Sequence, residues 1–423
     1  MADWSQLPKE ILSVIAERLD SPFYMLRFRS VCSWWRSSVS PRPLLRLPGR
    51  FPFLQCDGIT DSSWGFHLSR RSIFLIATTD PRSQSSNSSW LVKVEELYPN
   101  RMRLLNPLSR IQLRPMPTSF PNTMNLTHFI VFELGQEYVL HYMNYRPFGD
   151  AFGDLGNLYM EKVVFMSSGC GGIEEAFSLL TIHVSGKLAM FKSGDKRWTI
   201  IHDMPSPYDD VALFQGEFYA VDGTGRAVLV GLSLDVTLVA ESVYGGDKKF
   251  LVESNGGLLL VDMYLSAGDV FVGDDEDIDV EEVFDQYVAG ERAVRFKVFR
   301  LDIEGKRWVE VENLRDRVLF LGDDCAFSAS VAELSLSGCI KGNCVLFTDN
   351  FFYTWGEEGS GSGGSGGSDG VFKGRDICVF DLDNGSIAHL ADCPEYSKLF
   401  WPPPDWVAAT NLTVQNQFEE LAL

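Results

Sequence analysis

The chain has no C-x-x-C pair and no paired histidines. Its eight cysteines are scattered at 32, 56, 170, 325, 339, 344, 378 and 393, and its six histidines (67, 128, 141, 183, 202, 389) are isolated. Zinc sites are built from closely spaced ligand pairs, so this spacing disfavours one, and a lone histidine is more often structural than a ligand. Long apolar runs are also missing: residues 73–77 (Ile-Phe-Leu-Ile-Ala) fall far short of the ~20 residues that span a bilayer. The opening Met1-Ala2-Asp3-Trp4 lacks the basic start and long apolar stretch of a secretory leader. The cysteines are therefore expected to be reduced and mostly buried. The Asn-x-Ser/Thr triplets at Asn87, Asn125, Asn384 and Asn411 are expected to be incidental. Positive charge is scarce, with 37 Lys/Arg against 57 Asp/Glu and a net charge of −20. Residues 1–50 hold eight of those cations against four carboxylates, about +4, which leaves about −24 for the remainder. A surface so acidic disfavours nucleic acid and anionic membranes as partners of the larger part.

Catalytic signatures are equally thin. No P-loop and no H-E-x-x-H occurs. Gly359-x-Gly361-x-x-Gly364 imitates a dinucleotide fingerprint and Gly363-x-Ser365-x-Gly367 imitates a nucleophile elbow. Both need a strand before and a helix after. Here they lie in a Gly/Ser tract, 359–370, followed by Phe372, Lys373 and strand-like text. That tract reads as flexible coil, either an engineered replacement of a loop or natural low complexity. Residues 273–285 carry eight carboxylates and no cation, and like charges at that density resist packing. A calcium loop fits less well, because the alternation of ligands around a central glycine is absent. Both segments read as flexible insertions. The spacing of paired carboxylates in space is not legible in sequence, so glycosidase chemistry is neither assigned nor excluded.

From about residue 50, short β-rich runs alternate with Gly, Asn, Asp and Pro turns. Strands are predicted at 72–78, 129–134, 161–166, 179–183, 188–191, 211–214, 217–221, 227–232, 250–253, 257–263, 295–301, 308–311, 344–348, 351–355 and 377–382. So many strands exceed one ordinary open sheet, and a β-propeller accommodates them economically, with a pair of β-sandwiches as the alternative. A weak repeat agrees. Residues 188–191 precede Asp195-Lys196-Arg197-Trp198, residues 297–302 precede Gly305-Lys306-Arg307-Trp308, and residues 379–382 precede Asn384-Gly385-Ser386-Ile387. Each reads as strand, polar turn, strand, with a large apolar residue just past the turn. Trp401-Pro402-Pro403-Pro404-Asp405-Trp406 has two readings, a polyproline segment displayed to a partner or a strap that packs both indoles on the β-domain.

The first 40 residues differ from the rest. Pro8 suits a first helical turn, and Glu10 follows where a carboxylate favours the helix dipole. Ile11, Leu12, Ile15 and Leu19 recur at helical spacing. Ser21-Pro22 starts a second helix with Met25, Phe28, Cys32 and Trp35 on one face. Some 40 residues cannot bury that many large side chains unaided, so they need a partner or the rest of the chain. An ordinary helical cap on the β-domain would satisfy the same pattern.

The string Leu7-Pro8-Lys9-Glu10-Ile11-Leu12, then Ile15, Arg18-Leu19, Leu26-Arg27, Val31-Cys32 and Trp35-Arg36, resembles the F-box. Ser21-Pro22-Phe23-Tyr24 and Ser33-Trp34 depart from its commonest form without removing a core apolar position. The later text resembles the plant F-box proteins with a kelch-like β-domain. That likeness rests on Gly216-Glu217-Phe218-Tyr219-Ala220-Val221-Asp222 with Gly225, the Lys-Arg-Trp hairpins, Arg300-Leu301-Asp302, Tyr396-Ser397 and the Trp-Pro segment, and is less distinct over 50–160. It implies F-box helices over 1–45, a β-propeller-like recognition domain over 46–408 and a tail over 409–423. It implies docking on a Skp-type adaptor through Leu7, Pro8, Ile11, Leu12, Ile15, Leu19, Leu26, Val31 and Trp35, and through it on a cullin–RING ubiquitin ligase. A target protein would be recruited by substrate-binding residues that remain unknown. No catalytic residue, metal or cofactor is implied, and the expected location is nucleus or cytoplasm. The rival reading is a propeller enzyme or small-molecule sensor that carries adaptor-binding helices. A central cluster of convergent polar groups would favour it.

Overall fold

A computed structural model describes residues 4–19, 22–39, 51–52, 64–78, 89–98, 101–113, 129–144, 161–168, 176–183, 185–266, 293–334, 340–348 and 377–403. The acidic run at 273–285, the Gly/Ser tract, the strand predicted at 351–355 and Trp406 lie outside these residues. The chain divides into two compact units, residues 1–48 and 49–423.

The first unit is helical: α1 (Lys9–Glu17), α2 (Pro22–Ser30) and α3 (Ser33–Ser38). Leu12, Ala16, Met25 and Phe28 form its core, with Leu7, Ile15, Leu19, Trp35 and Val39 packed around it. The single second helix of the sequence reading is broken after Ser30. Cys32 leaves the predicted helical face and caps α3, its Sγ accepting the Trp35 N–H at 3.5 Å. Trp35 therefore reaches Phe28 from a separate helix, ring centroids 4.7 Å apart.

The second unit is built of strands. The first sheet holds β1 (Phe51–Pro52), β2 (Trp64–Thr78), β3 (Ser89–Tyr98), β4 (Arg101–Leu105), β5 (Phe129–Asn144), β6 (Glu161–Ser168), β7 (Ala176–Ile182), β8 (Leu188–Lys192) and β9 (Thr199–Ile200). Its order is β4-β3-β2-β5-β6-β7-β8-β9, with β1 on β2. The second sheet is β10 (Tyr208–Phe214), β11 (Glu217–Asp222), β12 (Ala227–Val230) and β13 (Val236–Ala240), in sequence order. The third is β14 (Lys248–Ser254), β15 (Gly257–Ser266), β16 (Ala293–Asp302) and β17 (Arg307–Glu310), also in sequence order. The last contains β18 (Arg317–Leu321), β19 (Ala326–Ser330), β20 (Cys344–Thr348), β21 (Ile377–Asp381) and β22 (Ile387–His389), in the order β19-β18-β20-β21-β22. Here β18 and β20 run parallel, the one parallel pairing among the described strands.

The hairpins follow local chemistry. Gln215-Gly216 joins β10 to β11 and Asn255-Gly256 joins β14 to β15, all four residues at positive φ. Two-residue turns of that kind match the twist of paired strands. Successive sheets then stack through apolar layers. One joins β6–β8 to the second sheet, one joins the second sheet to the third, and one joins the third to the last. The innermost strands complete a circuit: β10 lies against β6, β7 and β14, β14 against β19, and β19 against β5. This closed array of sheets is a β-propeller, mainly β after a small helical unit, as the sequence reading expects.

The tryptophans just past the polar turns fix the packing. Trp198 is buried and its indole donates to the Pro52 carbonyl at 2.9 Å. Trp308 is buried and donates to the Gly225 carbonyl at 2.8 Å, tying the third sheet to the second. Trp401 is buried beside Leu399 and Phe400, and the Leu91 N–H donates to the Leu399 carbonyl at 2.6 Å. At Trp401 the segment is thus packed as a strap.

Candidate docking face and central charged cluster

Once the helical unit has filled its own core, large apolar side chains remain outside. Pro8 is exposed, and so are Trp4, Ile11 (48 %), Val14 (49 %), Val31 (57 %) and Trp34 (41 %). Pro8, Ile11 and Val14 recur three apart, on one side of the start of α1. The two indoles hold α3 against the segment before α1: Trp34 Nε1 donates to the Leu7 carbonyl at 2.9 Å and Trp35 Nε1 to that of Trp4 at 3.0 Å. Lys9 Nζ lies 5.0 Å from the Trp34 ring centroid.

The predicted docking set therefore splits. Leu12 is core; Leu7, Ile15, Leu19 and Trp35 are half-buried around it; Pro8, Ile11 and Val31 face outward. The side chain of Leu26 lies outside the described residues. Sequence reasoning passed over Val14 and Trp34. The signal for Val14 was its spacing from Ile11; Trp34 offered none beyond its size.

The β unit has a second concentration of chemistry, which strand patterning did not reveal. Arg71 on β2 is buried among three carboxylates: Nε to Glu95 at 2.9 Å, Nη1 to Glu137 at 3.1 Å and Nη1 to Asp324 at 3.1 Å. Lys93 Nζ, fully buried, lies 3.0 Å from Glu137. Arg110 grips Asp324 with two bonds of 2.7 and 2.9 Å, and Arg103 binds Glu95 at 2.7 Å. His141 Nε2 stands 2.8 Å from Ser69 Oγ and 3.3 Å from Glu95. Burial acts against the charge of Arg71, but Glu137, Glu95 and Asp324 outweigh it and raise its pKa further. Burial likewise opposes ionisation of Glu95. The hydrogen bond with His141 and the charges of Arg71 and Arg103 prevail, holding its carboxyl well below the usual range.

Backbone contacts complete the junction. The turn after β18 meets the loop after β4: the Asp323 N–H donates to the Leu108 carbonyl at 2.8 Å and Cys325 Sγ to that of Pro107 at 3.5 Å. A Cβ on Gly322 would collide with the Leu108 carbonyl, so this position admits only glycine without a backbone shift. Burial pushes the Cys325 thiol far up, out of the range in which a thiolate reacts.

A cavity of about 260 Å³ opens beside this junction, between the starts of β6, β10 and β14 and the turn at 322–325. On its wall Lys162 Nζ bonds Asp210 at 2.5 Å, and Lys248 Nζ donates to the Asp209 carbonyl at 2.8 Å. Asp210 also accepts from the backbone N–H of Val211 (2.8 Å) and Leu251 (2.9 Å), which pins β10 to β14. Among the described residues no group of three or more His, Cys, Asp or Glu is placed to hold a metal ion.

The comparisons agree with this architecture. Residues 65–381 match the KIB1-4 beta-propeller family model. The chain is 46 % identical over 418 residues to "F-box protein SKIP23" of Arabidopsis thaliana, spanning 97 % of this chain and 96 % of that protein. It is 36 % identical over 426 residues to "F-box protein At2g17036", covering 98 % and 97 %. It is 27 % identical over 415 residues to "Putative F-box/kelch-repeat protein At5g24040", covering 96 % and 99 %, both of the same plant. With an N-terminal helical unit that leaves an apolar face uncovered and a propeller matching along most of its length, the chain belongs to the plant F-box proteins with a C-terminal KIB1-4 β-propeller.

Proposed function

We propose that this chain is the substrate-recognition subunit of a Skp–cullin–F-box ubiquitin ligase. In this reading the helical unit docks on a Skp-type adaptor, and the propeller recruits a target protein for ubiquitination and degradation in the nucleus or cytoplasm. The observation that carries it is the set of exposed apolar side chains, Pro8, Ile11 and Val14 along α1 with Val31 and Trp34 near the start of α3, outside the core of Leu12, Ala16, Met25 and Phe28. A helical face of this kind is what a partner groove takes up. The chain supplies no nucleophile. Rate enhancement comes from holding a target lysine near a loaded conjugating enzyme.

The acidic β unit suits a target with a basic or mixed-charge surface, and steering by opposite charge should raise the association rate and weaken with salt. Target binding is expected to survive loss of residues 1–45.

The test is co-elution with a Skp-type adaptor. Ile11→Glu combined with Val31→Glu places two charges on the exposed face and leaves Leu12 untouched. The adaptor complex should be lost while the melting curve of the chain stays in place. Normal stoichiometry in the double variant would overturn the assignment.

A further inference from the structure

We propose that the cavity at the start of β6, β10 and β14 binds an anionic group, carboxylate or phosphate, through the ammonium groups of Lys162 and Lys248. The argument is one of unused hydrogen-bonding capacity. Each carboxylate on the wall already accepts at least one hydrogen bond from the protein. Asp210 serves Lys162 and two backbone N–H groups. Asp324 serves Arg110 and Arg71. Asp209 accepts from the Lys249 N–H at 3.0 Å, and Asp323 from the Arg110 N–H at 3.2 Å.

The lysines are not so occupied. An ammonium carries three protons. Among the described residues Lys162 Nζ has one acceptor, Asp210, and Lys248 Nζ has one, the Asp209 carbonyl, with the Phe250 ring centroid 6.0 Å away. Neither is a solvated surface lysine. The Lys162 side chain is 26 % exposed, and Lys248 is half-buried at the same cavity. Partly desolvated cations with protons to spare gain most from a charged acceptor. A volume of about 260 Å³ admits a small acid or one acidic side chain, and excludes a folded partner. The site is independent of the adaptor face, so it stands or falls apart from the ligase reading.

Titration calorimetry on the full chain at fixed ionic strength tests this with succinate, inorganic phosphate and an end-blocked glutamate peptide. The expected result is saturable binding of at least one, weakened about tenfold or more by Lys248→Met. Lys248→Met is the chosen variant because the hydrogen bond of Lys248 goes to a carbonyl; it also takes a cation from beside Asp209, so a melting curve is recorded with each titration. Lys162→Met should act similarly and Lys341→Met not at all. Binding of the free acids points to a small-molecule effector, and binding of the peptide alone to an acidic side chain of the target. An end-blocked lysine peptide binding in their stead, no anion binding at millimolar concentration, or unchanged affinity in Lys248→Met would overturn the proposal.

Discussion

Arg71 Nη1 stands 3.1 Å from Asp324 Oδ2 across 253 residues of sequence, both side chains buried. This contact joins the second strand of the β unit to its last sheet, and Gly322 lets the backbones meet beside it. Removing one member of a buried ionic network leaves the others uncompensated. Asp324→Asn should therefore lower the unfolding free energy by about 3–5 kcal/mol. Urea denaturation followed by tryptophan fluorescence reads the change. A loss within about 0.5 kcal/mol, the size of an ordinary surface substitution, would show that the junction is held by backbone contacts alone.

Acid should loosen the same junction. Glu95 and Asp324 titrate lower in the folded chain than in the unfolded one. Burial opposes both shifts, and the hydrogen bonds with His141 and Arg110, together with the surrounding guanidinium charges, overcome it. Their stabilising contribution is complete above the unfolded value of ~4 and is lost as pH falls through the lower folded values. Asp209 and Asp262, both raised chiefly by burial, act in the opposite direction. Melting temperature is expected to fall steeply below about pH 4. Glu95→Gln should start lower and fall less, and a variant as steep as the parent would remove Glu95 from the cause.

Thiol labelling should report on docking. Cys32 is half-exposed between Val31 and Trp34, whereas Cys325, Cys344 and Cys378 are buried. A maleimide should label Cys32 readily in the free chain, leave those three untouched, and label Cys32 several-fold more slowly in the adaptor complex. Equal rates with and without adaptor would place the docking surface elsewhere.

Trp401→Ala should cost about 3–5 kcal/mol, the usual range for removing a large core side chain. Target capture should then fall only as far as the fold does. Lost capture with an unchanged melting curve would make the Trp-Pro segment a recognition element.

Much of the propeller was legible because its hairpins are local. The turns at Gln215-Gly216 and Asn255-Gly256 and the buried runs beside them carry their own signals. Strands β1, β3, β4, β9, β13, β18, β19 and β22 were not predicted. β19 reads Ala-Phe-Ser-Ala-Ser, with a single strong strand former, and is held in place by β18 and by β14 rather than by propensity. The parallel register of β18 with β20 depends on residues a strand apart in sequence and leaves no periodic trace. The charge cluster draws Arg71, Glu95, Glu137 and Asp324 from four separate segments, so no spacing announces it. One polar member of the interior did leave a signal. Asp262 interrupts an apolar run and pairs in register with Lys249, 2.6 Å away at zero exposure. On the helical unit, sequence identified the apolar set, and only the fold could separate core Leu12 from exposed Ile11.

The tie between the second strand and the turn at 322–325 also sets a timetable. A ribosome adding roughly 5–20 residues per second finishes Arg71 some 10–50 s before it finishes Asp324. Through that interval the N-terminal helices are already synthesised, while Arg71 and Lys93 have no carboxylate from the last sheet to meet. Until residue 324 emerges, the buried cations of the second and third strands lack part of their network, and the tie between the first and last sheets cannot form.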